Sequence, residues 1–313
     1  MLNNSTILVT GGAGFIGSNI VKRLLELGNN VNVLDNFSTG KRENLFPFKK
    51  HTKFKIFEGD LRSFHIVRDA VKGCEYVLHQ GALPSVPRSI KDPITSNDVN
   101  ILGTLNVLEV AKEFGVKRVV YASSSSVYGN SEKLPKVEDM PVNPLSPYAV
   151  TKYASERYCQ TYYWLYGLET VSLRYFNVFG PNQDPTSQYS AVIPKFIKAV
   201  MNDNQPIIFG DGLQSRDFTF VENNVQANIL ACIAPNAAGE VFNIACGERF
   251  TLIDLVNEIN KILGKNIEPI FEKDRAGDVK HSLASIEKAK KILSFNPKVS
   301  FKEGLERTIE FFR

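Results

Sequence analysis

The chain has 313 residues, 43% hydrophobic and 22% charged, which allows a sizeable core in one large domain or two smaller ones. A net charge of +4 without a Lys/Arg block argues against a nucleic-acid partner, and no apolar stretch is long enough to span a bilayer. The four scattered cysteines, Cys74, Cys159, Cys232 and Cys246, lack metal-ligand spacing, so they read as reduced thiols of a cytoplasmic protein that holds no metal.

Met1–Ser5 runs directly into strand-like Ile7-Leu8-Val9, so no signal peptide is expected. A helix follows over 14–27, then strands at 31–34, 54–57 and 76–79, with helices near 63–71 and 94–114. A strand at 119–122, a helix from Tyr148 to Tyr166 and a strand at 170–174 complete the alternation. Strands alternating with helices imply parallel βαβ units. After Tyr175 the rhythm breaks. Gly180–Pro185 reads as loop, followed by a helix at 191–201, a strand at 206–209, a helix at 222–233 and a strand at 240–245. Helical patterns near 251–263, 284–293 and 301–311 end the chain.

The turn Thr10-Gly11-Gly12-Ala13-Gly14-Phe15-Ile16-Gly17 leaves the first strand and opens the first helix. Gly11, Gly14 and Gly17 suit a tight turn, a backbone close to a pyrophosphate and helix N–H groups aimed at the anion. Asp35 ends the second strand 18 residues beyond Gly17. A carboxylate there accepts from both ribose hydroxyls and repels a 2′-phosphate, which favours NAD over NADP. Asp60-Leu61, at the end of the third strand, either contacts the adenine or is ordinary loop.

Tyr148 and Lys152 are four residues apart in Ser146-Pro147-Tyr148-Ala149-Val150-Thr151-Lys152, so they share one face of a helix that Ser146 caps and Pro147 begins. On spacing alone an ordinary surface helix is the commoner reading. A free phenol has a pKa of about 10; an ammonium one turn away favours the phenolate and makes Tyr148 a base. Upstream lie Ser123, Ser124, Ser125 and Ser126 at a strand end.

Together these features resemble the extended short-chain dehydrogenase/reductases, and within them the NAD-dependent nucleotide-sugar 4-epimerases. Further marks are His79-Gln80-Gly81-Ala82, Asn100-x-x-Gly103-Thr104, Arg174–Pro181, Arg216-Asp217-Phe218 and Arg275-Ala276-Gly277-Asp278. Ser85–Ile90, Leu134–Asp139 and His281–Ala284 are similar to the UDP-N-acetylglucosamine 4-epimerase branch. Two departures stand out: Gly81 where many members have alanine, and Leu83 where some UDP-galactose epimerases place a lysine near the cofactor.

The resemblance implies an α/β fold, a doubly wound, mostly parallel Rossmann sheet with a smaller α/β substrate lobe. Residues 1–175 with 218–247 would bind NAD, and 176–217 with 248–313 the nucleotide sugar. It implies oxidation at C4 of a hexose to a 4-ketone and reduction from the other face. Tyr148 exchanges the O4 proton, Lys152 binds the nicotinamide ribose and, aided by the positive nicotinamide ring, lowers the phenol pKa, and Ser124 hydrogen-bonds O4. Ser126 is a second candidate for that contact, while Ser123 and Ser125 read equally as a polar exit from the strand. Cofactor contacts are implied from Phe15, Ile16, Asn36, Ser38, Thr39, Gly40, Gln80, Ala82, Asn100 and Tyr175. Substrate contacts are implied from Ser85, Asn177, Val192, Arg216, Arg275, Asp278 and Ser282.

Arg216 and Arg275 suit a UDP diphosphate. The resemblance also places Ser282 at the position that gates sugar size, where a small residue leaves room for an N-acetyl group. The expected reaction is therefore the interconversion of UDP-GlcNAc and UDP-GalNAc, extending to UDP-glucose and UDP-galactose. The serine run lacks the acidic residue that related dehydratases and decarboxylases require. UDP-glucuronate 4-epimerases are the enzymatic alternative, although they tend to carry threonine where Asn177 stands. A non-catalytic NAD-sensing protein is the alternative from another class. A homodimer is expected, pairing the helix after Asn100 with the helix that carries Tyr148.

Overall fold

The computed structural model describes residues 2–185, 191–273 and 280–313. Six strands form the core of one sheet: β1 (Thr6–Thr10), β2 (Asn30–Asp35), β3 (Phe54–Glu58), β4 (Tyr76–His79), β5 (Arg118–Ser124) and β6 (Glu169–Tyr175). Val241–Ile244 adds a seventh at the β6 edge. The spatial order from that edge is β6, β5, β4, β1, β2, β3, and every pair is parallel. Chain progress reverses between β1 and β4, so connecting segments leave in opposite directions and open a crevice beyond their carboxyl ends.

Helices cover both faces, because alternate residues of each strand point to opposite sides and both must be buried. Ile7 and Val9 pack with Ile20, Val21 and Leu24 of α1 (Phe15–Glu26), whereas Leu8 packs with Val67 of α2 (Phe64–Val71) on the other side. Two short helices, α3 (Val86–Lys91) and α4 (Pro93–Asn97), lead through a π-helical turn, Asp98–Leu102, into α5 (Gly103–Glu113). The 20-residue α6 (Pro147–Tyr166) lies beside them. Ser146 caps it by accepting from Ala149 N, and Gly167 ends it in the left-handed conformation.

Beyond β6 come α7 (Val192–Met201), α8 (Val221–Ile233), α9 (Leu252–Leu263), α10 (Glu287–Leu293) and α11 (Phe301–Phe312). Helix α8 returns to the main sheet against α1, β5 and β6. A separate apolar cluster joins α7, α9 and α11 around Phe179, Phe218, Phe220 and Phe301, and the Phe218 and Phe301 rings stack at 5.4 Å. Fully buried Asp217 ties this region to the sheet edge: its carboxylate accepts from the N–H of Cys246 (3.0 Å), Gly247 (3.1 Å) and Ala284 (3.2 Å).

Some sequence expectations need correction. The helix predicted over 94–114 is interrupted by the π turn, the helix predicted over 284–293 begins only at Glu287, and α3 and the strand Ile270–Glu272 were not foreseen. Apolar periodicity runs through 94–114 without a break, and one extra residue in a turn leaves no signature in it.

His79, at the end of β4, connects the π turn to the loop after β4. Thr104 Oγ1 donates to Asn100 O (2.6 Å), so it accepts from His79 Nε2 (3.0 Å). Nδ1 is then bare and accepts from Thr10 Oγ1 (2.7 Å), which itself accepts from Gly81 N (3.1 Å). Burial, with Lys152 nearby, pushes the imidazole down to about 3, so it stays neutral in the native state. Below the ordinary histidine pKa the unfolded chain takes up a proton that the native ring refuses, so this contribution to stability falls as pH falls. Between pH 7 and 5 it amounts to about 2 kcal/mol. Urea unfolding at the two pH values should therefore show a His79→Gln variant losing less stability than the parent, by roughly that amount.

Candidate active site

The crevice holds a cavity of about 640 Å³, within the range of small-molecule and cofactor sites. Its floor is the turn from β1 to α1. Gly11 has φ +65°, and a Cβ there would lie 2.7 Å from Gly81 Cα; a Cβ on Gly17 would lie 2.1 Å from Gly11 O. The backbone segments are thus packed as closely as glycine permits. No side chain caps α1, whose first turn faces the cavity through Gly14, Phe15, Ile16 and Gly17. Its opening N–H groups have no intrahelical acceptor and favour an anion.

Asp35, at the end of β2, also lines the cavity. Its carboxylate accepts from Ala13 N (2.9 Å) and Phe37 N (2.8 Å); burial pushes its pKa up, and these bonds draw it back. Asn36, Ser38, Thr39, Gly40, Asp60 and Leu61 extend the same wall. Asp60 is engaged by the backbone N–H and guanidinium of Arg62 and by Asn36 Nδ2, and Arg62 holds it down to about 2.

Tyr148 and Lys152 enter the cavity from α6. Ser124, at the end of β5, acts on the Tyr148 phenol and favours its ionised form. Ser124 Oγ also accepts from Ser126 N (3.2 Å) and Ser126 Oγ (2.9 Å). Lys152 Nζ donates to Ala122 O (2.8 Å) and lies 5.9 Å from the centre of the Tyr148 ring. Burial raises the phenol pKa and Ser124 opposes that rise. Burial also pushes the ammonium itself down to about 8. An added positive charge beside the ring is what would favour the phenolate.

Residues 7–245 match the NAD dependent epimerase/dehydratase family. The chain belongs to that family. It is 39% identical to a putative UDP-glucose 4-epimerase of Methanocaldococcus jannaschii over 98% of both chains, and 38% identical to a UDP-glucuronate 4-epimerase of Thermodesulfobacterium geofontis over 97% of this chain and 95% of the other. Among solved structures, a UDP-N-acetylglucosamine 4-epimerase from Methanobrevibacter ruminantium in complex with UDP-N-acetylmuramic acid superposes with a TM-score of 0.95. Its identity is 41%, over 99% of both chains.

NAD is the cofactor of this family member. The residues present fit it: a glycine floor with no room for side chains, uncapped helix N–H groups and a carboxylate at the far end. Gln80, Ala82, Ser85 and Tyr175 line the same cavity. Asn100 is placed differently, behind the wall. Its amide is spent on Leu83 N (2.7 Å), Leu83 O (3.2 Å) and Thr151 Oγ1 (3.0 Å), so it shapes the loop instead of facing the cavity.

Asn177, at φ +37°, donates to Asp217 O (3.2 Å), and Arg216 Nη1 donates to Ser215 O (3.0 Å) and Lys280 O (3.2 Å). Ser282 N donates to Ser215 O (2.9 Å), and Val192 begins α7. These residues and Ser126 lie outside the lining of the main cavity. Arg275 and Asp278 lie outside the described residues.

The sequence reading missed Asn228 on α8. Its Nδ2 donates to the Tyr175 hydroxyl (2.7 Å) and its Oδ1 accepts from Gln80 Nε2 (3.0 Å), while Tyr175 donates to Gln80 Oε1 (3.1 Å). Two cavity-lining side chains and the fully buried Asn228 thus close one ring of hydrogen bonds. The available signal was the run of asparagines, Asn223, Asn224 and Asn228, on a helix buried against the sheet.

Among the described residues, no cluster of His, Cys, Asp or Glu suits a metal, and no helix is long and apolar enough to cross a membrane. A Gly17→Ala variant is expected to emerge without bound NAD, measured as nucleotide released on denaturation, because the added methyl displaces the turn.

Proposed function

We propose that the chain is a UDP-sugar 4-epimerase acting on UDP-GlcNAc and UDP-GalNAc, and also on UDP-glucose and UDP-galactose. The observation that carries this reading is the entry of Tyr148 and Lys152 into the cavity, with Ser124 at the end of β5 acting on the phenol. The C4–H bond of a hexose is not acidic, so inverting that carbon requires passage through a 4-ketone. Bound NAD supplies the exchange of hydride with C4. Tyr148 takes the O4 proton during oxidation and returns it after the ketose has turned, while Ser124 holds O4. Lys152 orients the cofactor ribose. The glycine turn, Asp35, Gln80 and Tyr175 seat the dinucleotide, and the second lobe, through Asn177, Arg216, Arg275 and Asp278, holds the UDP.

Small Ser282 favours acceptance of the N-acetyl group, in keeping with the UDP-N-acetylglucosamine 4-epimerase relative. The UDP-glucuronate 4-epimerase relative supports a second reading, and Asn177 weighs against it. Turnover followed by NMR on UDP-GlcNAc, UDP-glucose and UDP-glucuronate separates the two. We expect the neutral sugars to be interconverted and the uronate left unchanged. Tyr148→Phe should lower kcat by about a thousandfold with NAD still bound. Full activity in that variant, or inertness of the parent toward every UDP-hexose, overturns the reading.

A homodimer is part of this proposal. Exposed apolar side chains gather on α3, α4 and α6, with Ile90 65%, Ile94 74% and Trp164 60% exposed; these helices pack on one another, and a patch of this kind marks an interaction surface. Sedimentation should give the mass of two chains, and a Trp164→Asp variant should shift toward one.

A further inference from the structure

Helix α6 carries one polar stripe, Tyr148, Lys152 and Glu156, at i, i+4 and i+8. Each contacts a successive residue at the end of β5, although not in the same order. Lys152 holds the Ala122 carbonyl, Tyr148 meets Ser124, and Glu156 holds Ser123 between them.

Glu156 is 1% exposed and lies outside the cavity. Its Oε2 accepts from Ser123 Oγ (2.6 Å) and Arg174 Nε (3.0 Å), and its Oε1 from Arg174 Nη2 (2.6 Å). Arg174 Nη1 continues to the Tyr128 hydroxyl (2.8 Å), which donates to Asn243 Oδ1 (2.6 Å). Ser123 immediately precedes Ser124, and Tyr128 closes the 3-10 turn Ser125–Tyr128 that follows it. The ion pair therefore grips the serine turn at both ends, with Ser124 and Ser126 held between.

A buried ion pair adds little net stability over apolar side chains of similar size, but it specifies one arrangement where apolar contacts tolerate several. Here the arrangement specified is the placement of β5's last residues against α6, the same two elements that bring Ser124 to Tyr148. We propose that Glu156, oriented by Arg174, is a positioning residue for proton transfer: the bond it accepts from Ser123 sets where the Ser124 hydroxyl points. This rests on the 4-epimerase reading above.

Ser123→Ala tests it, removing one hydroxyl and leaving the ion pair in place. We expect kcat to fall roughly 10- to 100-fold, with KM for the UDP-sugar and NAD content within about twofold of the parent. Because Ser124 draws the Tyr148 ionisation down, the acid limb of the kcat profile should also move to higher pH. The other titratable groups around the phenol are Lys152 on α6, with His79 behind it, Tyr121 on β5 and Arg88 across the cavity, and all are retained in this variant. Glu156→Gln should give the same pH displacement, and combining it with Ser123→Ala should add no further loss.

Parent-like kcat and an unmoved acid limb in Ser123→Ala, with Tyr148→Phe inactive, overturn this inference alone. So does a loss of kcat matched by an equal loss of NAD, which marks a packing role. Full activity in Tyr148→Phe overturns both this inference and the reaction it serves.

Discussion

The structure depends on a helix that is buried through polar side chains. Lys152 and Glu156 of α6 sit out of water and Tyr148 on the same face is half-buried, and buried polar groups must find partners or cost several kcal/mol each. Those partners come from consecutive residues at the carboxyl end of β5 and from Arg174 of β6. The requirement fixes α6 against two adjacent strands more tightly than apolar packing would. It places the phenol at the crevice that the reversal of strand order opens between β1 and β4. Geometry demanded by hydrogen bonding and geometry demanded by chemistry coincide on one helix face.

Burial acts on the two reactive groups in opposite directions and penalises charge on each. It raises the Tyr148 phenol and lowers the Lys152 ammonium. Neither group alone makes the other a base. A positive charge brought beside the phenol by the cofactor would favour the phenolate, because screening in a partly buried site is weak. The neutral tautomer of His79 fits this pattern, since a second cation beside Lys152 would oppose that arrival.

Much of this was legible in the sequence where a local rule governed. The glycine spacing, Asp35 at the strand end and the Ser146-Pro147 start of α6 each follow from a backbone or capping requirement, and their positions emerge as read. What escaped was set at long range or by a small register change. The π turn hid inside an unbroken apolar period. Helix α3 hid in a short proline-bearing segment whose first cap, Ser85, takes a positive φ of 94°. The Glu156–Arg174 pair spans 18 residues and the Ser123–Glu156 bond 33, so neither leaves a periodic trace. Likewise, the spacing of Tyr148 and Lys152 carries no sign that burial raises the phenol pKa and lowers that of the ammonium.

Asn228 has a consequence for how the fold can be divided. The glycine turn, Asp35, Tyr148 and Lys152 all precede residue 176, which invites a view of the first half as a portable cofactor cassette. Yet Gln80 and Tyr175 are locked together by a side chain from α8, and β6 has its outer partner only in Val241–Ile244. A chain cut after Tyr175 would leave a raw sheet edge and two buried polar groups without their third member. The cofactor crevice is thus a property of the whole chain: its first half carries the recognisable signature, and its second half closes the bonds that give the signature its shape.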